Sequence, residues 1–231
     1  MQSSNSQACL SIIVPLLNEA EQVSDLLDHL RAWENKGCEI ILVDGGSSDG
    51  TLATIQASGL KALSAPRGRA RQMNAGANAA TGDILLFLHA DTRLCDGSDA
   101  LVRDALARED RCWGRFDVRI DGNHWMLGII GGMMNLRSRL TGIATGDQCL
   151  FVSAKAFRSV EGFPDQPLME DIELSRRLRR LAPPACLWQQ VTTSGRRWLD
   201  KGIWSTVWLM WRLRWAYWRG TTAEHLAGQY Q

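Results

Sequence analysis

The chain has 231 residues, with Lys+Arg 26 against Asp+Glu 25 and a formal net charge of +1. That length suits one domain with a sizeable core and a small appended element, and the charge balance excludes a global electrostatic basis for nucleic-acid binding. Cys9, Cys38, Cys95, Cys112, Cys149 and Cys186 are scattered without a Cys-x-x-Cys pair, which points to reduced thiols in a cytoplasmic protein and away from a zinc finger or disulfide framework.

The N-terminal MQSSNSQACLSIIVPLLNEAE has no basic leader region, and its apolar run stops at Asn18-Glu19. It is read as a first core strand with no signal peptide. Residues 11–17 are β-branched or Leu-rich and short, as in a strand buried on both faces. Asn18 offers a helix cap, and Val23, Leu26, Leu27, Leu30 and Trp33 then recur at helical spacing. A second buried strand fits 38–43, followed by the turn Asp44-Gly45-Gly46-Ser47-Ser48-Asp49-Gly50 and a helix from Thr51. A third strand fits 62–65, a helix 70–80, and a fourth strand 84–88, closing on His89-Ala90-Asp91.

Strand and helix thus alternate with short connections, the signature of an α/β protein with a doubly wound, mostly parallel sheet and helices on both faces. Such sheets take ligands at the carboxyl ends of their strands. Asn18, Glu19, Asp44 and Asp91 all fall there.

The second half reads as a strand over 113–120, a Gly- and Met-rich apolar stretch over 125–135 that is not a rigid helix throughout, and a strand over 148–153. A helix over 168–181 begins with Glu170, Asp171 and Glu173 and ends in arginines. Those charges suit both ends of the helix dipole, and Pro183-Pro184 stops it. The organisation expected is one domain over 1–195 and a Trp/Arg-rich helix within 196–231.

Several of these residues suit nucleotide and phosphate chemistry. The Asp44 turn lets backbone approach a ligand while Asp44 accepts hydrogen bonds from it; an ordinary capped loop has the same composition. Arg67, Arg69 and Arg71 open a helix and suit a phosphate clamp, where a solvated basic face is the alternative. Asp91 ends a buried strand, where a carboxylate must be paired or metal-bound. Its oxygen suits Mg2+ or Mn2+ bridging phosphates; capping the next helix is the plainer role.

SIIVPLLNEA, ILVDGGSSDGT, LLFLHADT and MEDIELSRRLRR, in that order, resemble the motifs of family 2 glycosyltransferases of the GT-A fold. GRARQMNAGA, LHADT, TGDQCLFV and TSGRRW resemble, more narrowly, the radical-SAM/selenodomain-associated transferase 2 subgroup. The resemblance implies an inverting, metal-dependent transferase acting on a nucleotide-diphosphate sugar, with Mn2+ or Mg2+. It places Pro15, Leu17, Glu19 and Asp44 around the base and ribose. Asp91 then ligates the metal, and His89 replaces the first Asp of the usual Asp-x-Asp. Glu170-Asp171 matches the acidic pair whose second member is the general base. Asp147 and Gln148 match the subgroup's Gly-Asp-Gln, facing donor sugar or acceptor, although a polar turn explains them as well. The alternative is a degenerate transferase acting as a membrane-docked binding module. A sugar nucleotidyltransferase would want a Gly-rich loop with a catalytic Lys where Leu16-Leu17-Asn18-Glu19 stands.

Trp204, Trp208, Trp211, Trp215 and Trp218 form one stripe of a helix. With Arg197, Arg212, Arg214 and Arg219 nearby, this fits an interfacial helix on the cytoplasmic face of the plasma membrane, near a lipid or small-molecule acceptor. Packing on the core or on a second subunit fits equally. The apolar stretch from Trp125 would help admit a lipid.

Overall fold

The computed structural model describes residues 8–200 and 202–230. Residues 1–7, the start of the segment read as lacking a leader, lie outside the described residues. Strands β1 (Leu10–Leu16), β2 (Glu39–Asp44), β3 (Lys61–Ser64) and β4 (Ile84–Phe87) alternate with helices α1 (Val23–Glu34), α2 (Thr51–Ala57) and α3 (Arg69–Ala79). β1 pairs in parallel with both β2 and β4, and β2 with β3. A parallel sheet covered on both faces leaves no wet side, which is why β1 and β2 are nearly continuous apolar runs.

Successive side chains go to opposite cores. Ile12, Val14, Ile40 and Leu42 face α1, while Ile13, Ile41 and Val43 face α3. α1 buries Val23, Leu26, Leu27, Leu30 and Trp33, each worth about 1.5–3 kcal/mol relative to exposure. α3 lies close enough to β1 that a Cβ on Gly76 would collide with Ile13. His29 of α1 accepts the backbone N–H of Leu94 at 3.1 Å and so tethers the segment that follows Asp91.

The rest of the chain comprises β5 (Thr92–Arg93), α4 (Ser98–Leu106), β6 (Trp113–Asp121), α5 (Met126–Thr141), β7 (Phe151–Ser153), α6 (Ala154–Ser159), α7 (Glu170–Arg179), β8 (Ala185–Ser194), α8 (Arg196–Asp200), α9 (Ile203–Trp218) and α10 (Ala223–Tyr230). The eight strands run in the order β3-β2-β1-β4-β7-β6-β8-β5. β7 is antiparallel to both β4 and β6, and β8 is parallel to β6. The carboxyl ends of β1, β2, β4, β6 and β8 and the entry to β7 therefore share one edge.

Three local expectations are corrected. Asn18 does not cap α1; Gln22 holds that position, and the Asn18 side chain accepts from Ser48 N–H at 2.9 Å. The stretch from Trp125, expected to be partly irregular, is helical as α5. Its glycine permits close packing, since a Cβ on Gly131 would lie 3.2 Å from the Val118 carbonyl. Asn135 meanwhile bonds both the N–H and the C=O of Val118, each at 2.9 Å. Contact with β6 outweighs the modest propensity cost of glycine. The strand expected over 148–153 starts only at Phe151, because Gly146–Gln148 coils into a 3-10 turn closed by a capping box with Thr145.

α9 packs one side inward, Leu213 meeting Leu168, Met169 and Ile172, with Leu226 of α10 beside it. Its five-Trp stripe points outward, each side chain between 59% and 73% exposed. Among the described residues no helix is long and apolar enough to cross a membrane.

Candidate active site

Asp44 ends β2 and is buried. Its Oδ2 accepts the N–H groups of Gly46 and Ser47 at 2.8 and 3.0 Å, while Oδ1 is buried with no partner among the described residues. Gln72 donates to the carbonyls of Leu16 at 2.7 Å and Val43 at 2.9 Å, tying the ends of β1 and β2 together. Gly45 leaves room for this bridge, because a Cβ there would stand 2.8 Å from the Gln72 amide and displace it. Asn18 N–H donates to Ser47 Oγ and Glu19 N–H to Thr51 Oγ1, both at 2.9 Å. The loop after β1 and the turn after β2 are thus one unit, with half-buried Pro15 and Leu17 beside it.

The three arginines at and just before the start of α3 have different surroundings. Arg71 forms a two-pronged pair with Asp165 at 2.7 and 3.0 Å, whereas Arg69 approaches Glu170 at 3.8 Å. Arg67 is exposed.

Asp91 is held from β8. Its Oδ1 accepts from Thr92 Oγ1 at 3.2 Å and Thr193 Oγ1 at 3.5 Å, and its carbonyl accepts Ser194 N–H at 3.1 Å. Burial raises the pKa of Glu19; a hydrogen bond from Gln22 opposes this, and the negative charge of Asp91 adds to it. His89 Nδ1 lies 3.5 Å from Asp147 Oδ1, and a Cβ on Gly146 would collide with the His89 ring. Burial works to raise the Asp147 pKa, but His89, Arg69 and Arg214 outweigh it and hold the carboxyl below its ordinary value.

Across the cleft, Asp171 Oδ2 accepts Gly146 N–H at 2.9 Å and Oδ1 accepts Ile172 N–H at 2.7 Å. Glu170 beside it is buried, and burial together with the Asp171 charge raises its pKa against the pull of Arg69. His89, Gly146, Glu170 and Asp171 line a single small cavity with Met73, Phe87, Leu150 and Phe163. Gln148, by contrast, is buried in the turn, its side chain spent on Thr145 and Asn135. Asn18, Cys149 and Met169 adopt positive φ of 55°, 47° and 64°, and each adjoins a residue of the site. Backbone strain of this sort persists where surrounding structure holds a functional geometry in place.

Among the described residues no three His, Cys, Asp or Glu side chains converge as a metal cage. The donor set instead fits a Mg2+- or Mn2+-like ion that takes one carboxylate, from Asp91, and completes its shell with substrate phosphates and water. Gln72, Thr193 and Arg137, none of them singled out from the sequence, also belong to the site's surroundings. Gln72 and Thr193 lie inside motifs noted above, RARQMNAGA and TSGRRW. Arg137 carries no sequence signal of its own.

Residues 11–157 match the family described as Glycosyl transferase family 2. Glycosyltransferases of PGL/p-HBAD biosynthesis from Mycobacterium bovis and Mycobacterium tuberculosis are 40% identical over 102 residues, 41% of this chain and 40% of theirs. The chain therefore spans about 40% of the length of these curated relatives. Among solved structures, the mannosyltransferase PcManGT from Pyrobaculum calidifontis in complex with GDP-Man and Mn2+ superposes with TM-score 0.61 at 19% identity, over 81% of this chain and 57% of that one. S. aureus TarS 1-349 in complex with UDP gives TM-score 0.65 at 16% identity, over 80% of this chain and 60% of that one. These likenesses show the fold to be GT-A, as the ordered motifs implied.

Proposed function

Because the chain belongs to glycosyl transferase family 2, we propose that it moves a sugar from a nucleotide-diphosphate donor to an acceptor hydroxyl, with inversion and with help from Mn2+ or Mg2+. The observation that carries this reading is the cavity that brings Glu170 and Asp171 against His89, two residues from Asp91. Asp44 and the Asn18–Glu19 loop hold the nucleoside, Asp44 through its unpartnered oxygen. Arg69 lends positive charge near the sugar and diphosphate. Asp171 is placed to accept the acceptor's proton as its hydroxyl attacks the anomeric carbon from the face opposite the departing diphosphate. Proton acceptance of this kind typically contributes about 10²–10⁴-fold in rate. When bound at Asp91, a divalent ion supplies the charge that stabilises the leaving nucleoside diphosphate.

Purified protein incubated with a panel of nucleotide sugars and Mn2+ is expected to release the nucleotide of one donor class. Failure to bind any nucleoside diphosphate, with or without metal, overturns the proposal.

We further propose that the protein acts at the cytoplasmic face of the plasma membrane. Support comes from a second apolar stripe that sequence alone did not show. Trp125, Ile129, Met133, Leu136 and Leu140, on and just before α5, are all exposed. α5 and α9 share a core in which Leu127 and Ile130 meet Ile203 and Val207, so the two stripes belong to neighbouring helices. Arg212 and Arg219 lie over Trp208 and Trp215 at 5.3 and 4.9 Å, an amphipathic arrangement suited to headgroups. Arg214 instead influences the interior, where it acts on Arg137 and Asp147. The full chain should float with vesicles containing anionic lipid, and a variant with Trp204, Trp208 and Trp211 changed to Ser should not. Equal flotation of the two would refute membrane docking through α9.

A further inference from the structure

Arg137, half-buried on α5, differs from the other cations that are largely withdrawn from solvent. Arg115 and Arg139 both pair with Asp117, and Arg103 pairs with Asp99. Arg137 forms no such pair among the described residues, and its Nε and Nη2 are buried without a hydrogen-bond partner. Guanidinium nitrogens withdrawn from water without an acceptor are unfavourable, so their presence calls for an anion that none of the described residues supplies in direct contact. Its pKa is pushed down to about 10 by burial and by Arg214, with Asp171 opposing, and Arg115 and Asp147 adding lesser effects of each sign. It therefore remains charged at neutral pH.

Its place in the fold indicates which ligand it meets. Asp44 ends β2, on one side of β1 and β4, whereas Arg137 rides on α5, packed against β6 on the other side of β4. Arg137 lies within electrostatic reach of Asp171 and Asp147, on the side of the sheet away from Asp44. Arg214 reaches the same point from α9, the helix that carries the Trp stripe. We infer that Arg137, with Arg214 beside it, forms an anion subsite for a phosphate group carried by the acceptor. Guanidinium groups bind phosphate through paired, charge-assisted hydrogen bonds, and anchoring the phosphate there would position the acceptor's hydroxyl at Asp171. The inference rests on the transferase reading above.

The test uses the full chain saturated with Mn2+ and with UDP or GDP, whichever binds, so that the donor site is filled. Inorganic phosphate is then titrated by calorimetry, and vesicles of phosphatidylcholine with and without phosphatidic acid are compared by flotation. Phosphate, or the phosphatidic acid vesicles, should bind the loaded protein, and Arg137→Gln should weaken that binding by roughly tenfold or more while nucleotide affinity holds. Dependence on Arg137 for vesicles alone would assign the phosphate to a lipid; dependence for free phosphate would assign it to a soluble acceptor. With the unpaired charge removed, Arg137→Gln should also melt several degrees higher than the parent when no phosphate is present. Arg137→Lys, which keeps the charge, should retain part of the phosphate affinity and secures the comparison if the Gln variant fails to fold. Equal binding by parent and variants, or no binding by either, overturns the inference. So does loss of nucleotide affinity in Arg137→Gln, which would move Arg137 to the donor diphosphate. Failure of the parent to bind any nucleotide would instead overturn the transferase reading.

Discussion

Asp171→Asn is expected to lower the rate of sugar transfer by about 10²–10⁴-fold, the usual range for removing a positioned general base, while nucleotide binding persists. The substitution is close to isosteric, and the amide keeps one oxygen to accept Gly146 N–H, which now donates at 2.9 Å. What it loses is the capacity to take a proton. The second carboxylate oxygen now accepts Ile172 N–H at 2.7 Å, and losing that bond should cost about 0.5–1.5 kcal/mol of stability. A thermal melt would therefore separate a folding defect from a chemical one. Single-turnover transfer and nucleotide titration, run side by side, give the decisive comparison: turnover equal to the parent removes Asp171 as the base. Glu170 is the weaker candidate because it is buried, whereas Asp171 is partly exposed in the shared cavity.

Asp44→Asn is expected to weaken nucleotide binding by roughly ten- to a hundredfold, the value of a hydrogen bond to a charged partner, about 1.5–3 kcal/mol. The amide oxygen can still accept Gly46 and Ser47 N–H, so the turn should survive. At the other position an acceptor becomes a donor, and a nucleoside N–H that needs a carboxylate oxygen meets an N–H instead. In the free protein the effect on stability should be small or favourable, because the oxygen being replaced has no partner among the described residues. Weaker binding combined with unimpaired stability is the signature of a group kept for a ligand. If Asp44→Asn binds nucleotide as the parent does, its buried oxygen has another purpose and the nucleoside lies elsewhere.

Much of the first half was legible in the sequence because its physics is local. Strands buried on both faces need unbroken apolar runs, and the helices between them need an apolar stripe. β1 to β4 and α1 to α3 consequently lie within a residue or two of where periodicity put them. The second half was less legible for the converse reason. α5 contains Gly128, Gly131 and Gly132, which argue against a helix until β6 is present for it to pack on. β8 carries Trp188, Gln189 and Gln190 at exposed positions, and its place beside β6 depends on a partner distant in sequence.

The sequence by itself determined the α/β alternation, the family motifs, and the placing of Asp44 and Asp91 at strand ends, because strand length and side-chain alternation are properties of short segments. Only the tertiary structure decided how the acidic residues share the cleft. Reversal of β7 relative to β4 brings Gly146 and Asp147 back to the edge where His89 and Asp91 stand, and a backbone N–H from that turn orients Asp171. The tertiary structure likewise separated Arg71, held by Asp165, from Arg69, which turns to Glu170. It also showed that Asp44 and Arg137 each bury a polar group with no partner among the described residues. Whether a polar atom is satisfied depends on every chain segment packed around it, and no window of sequence contains that information.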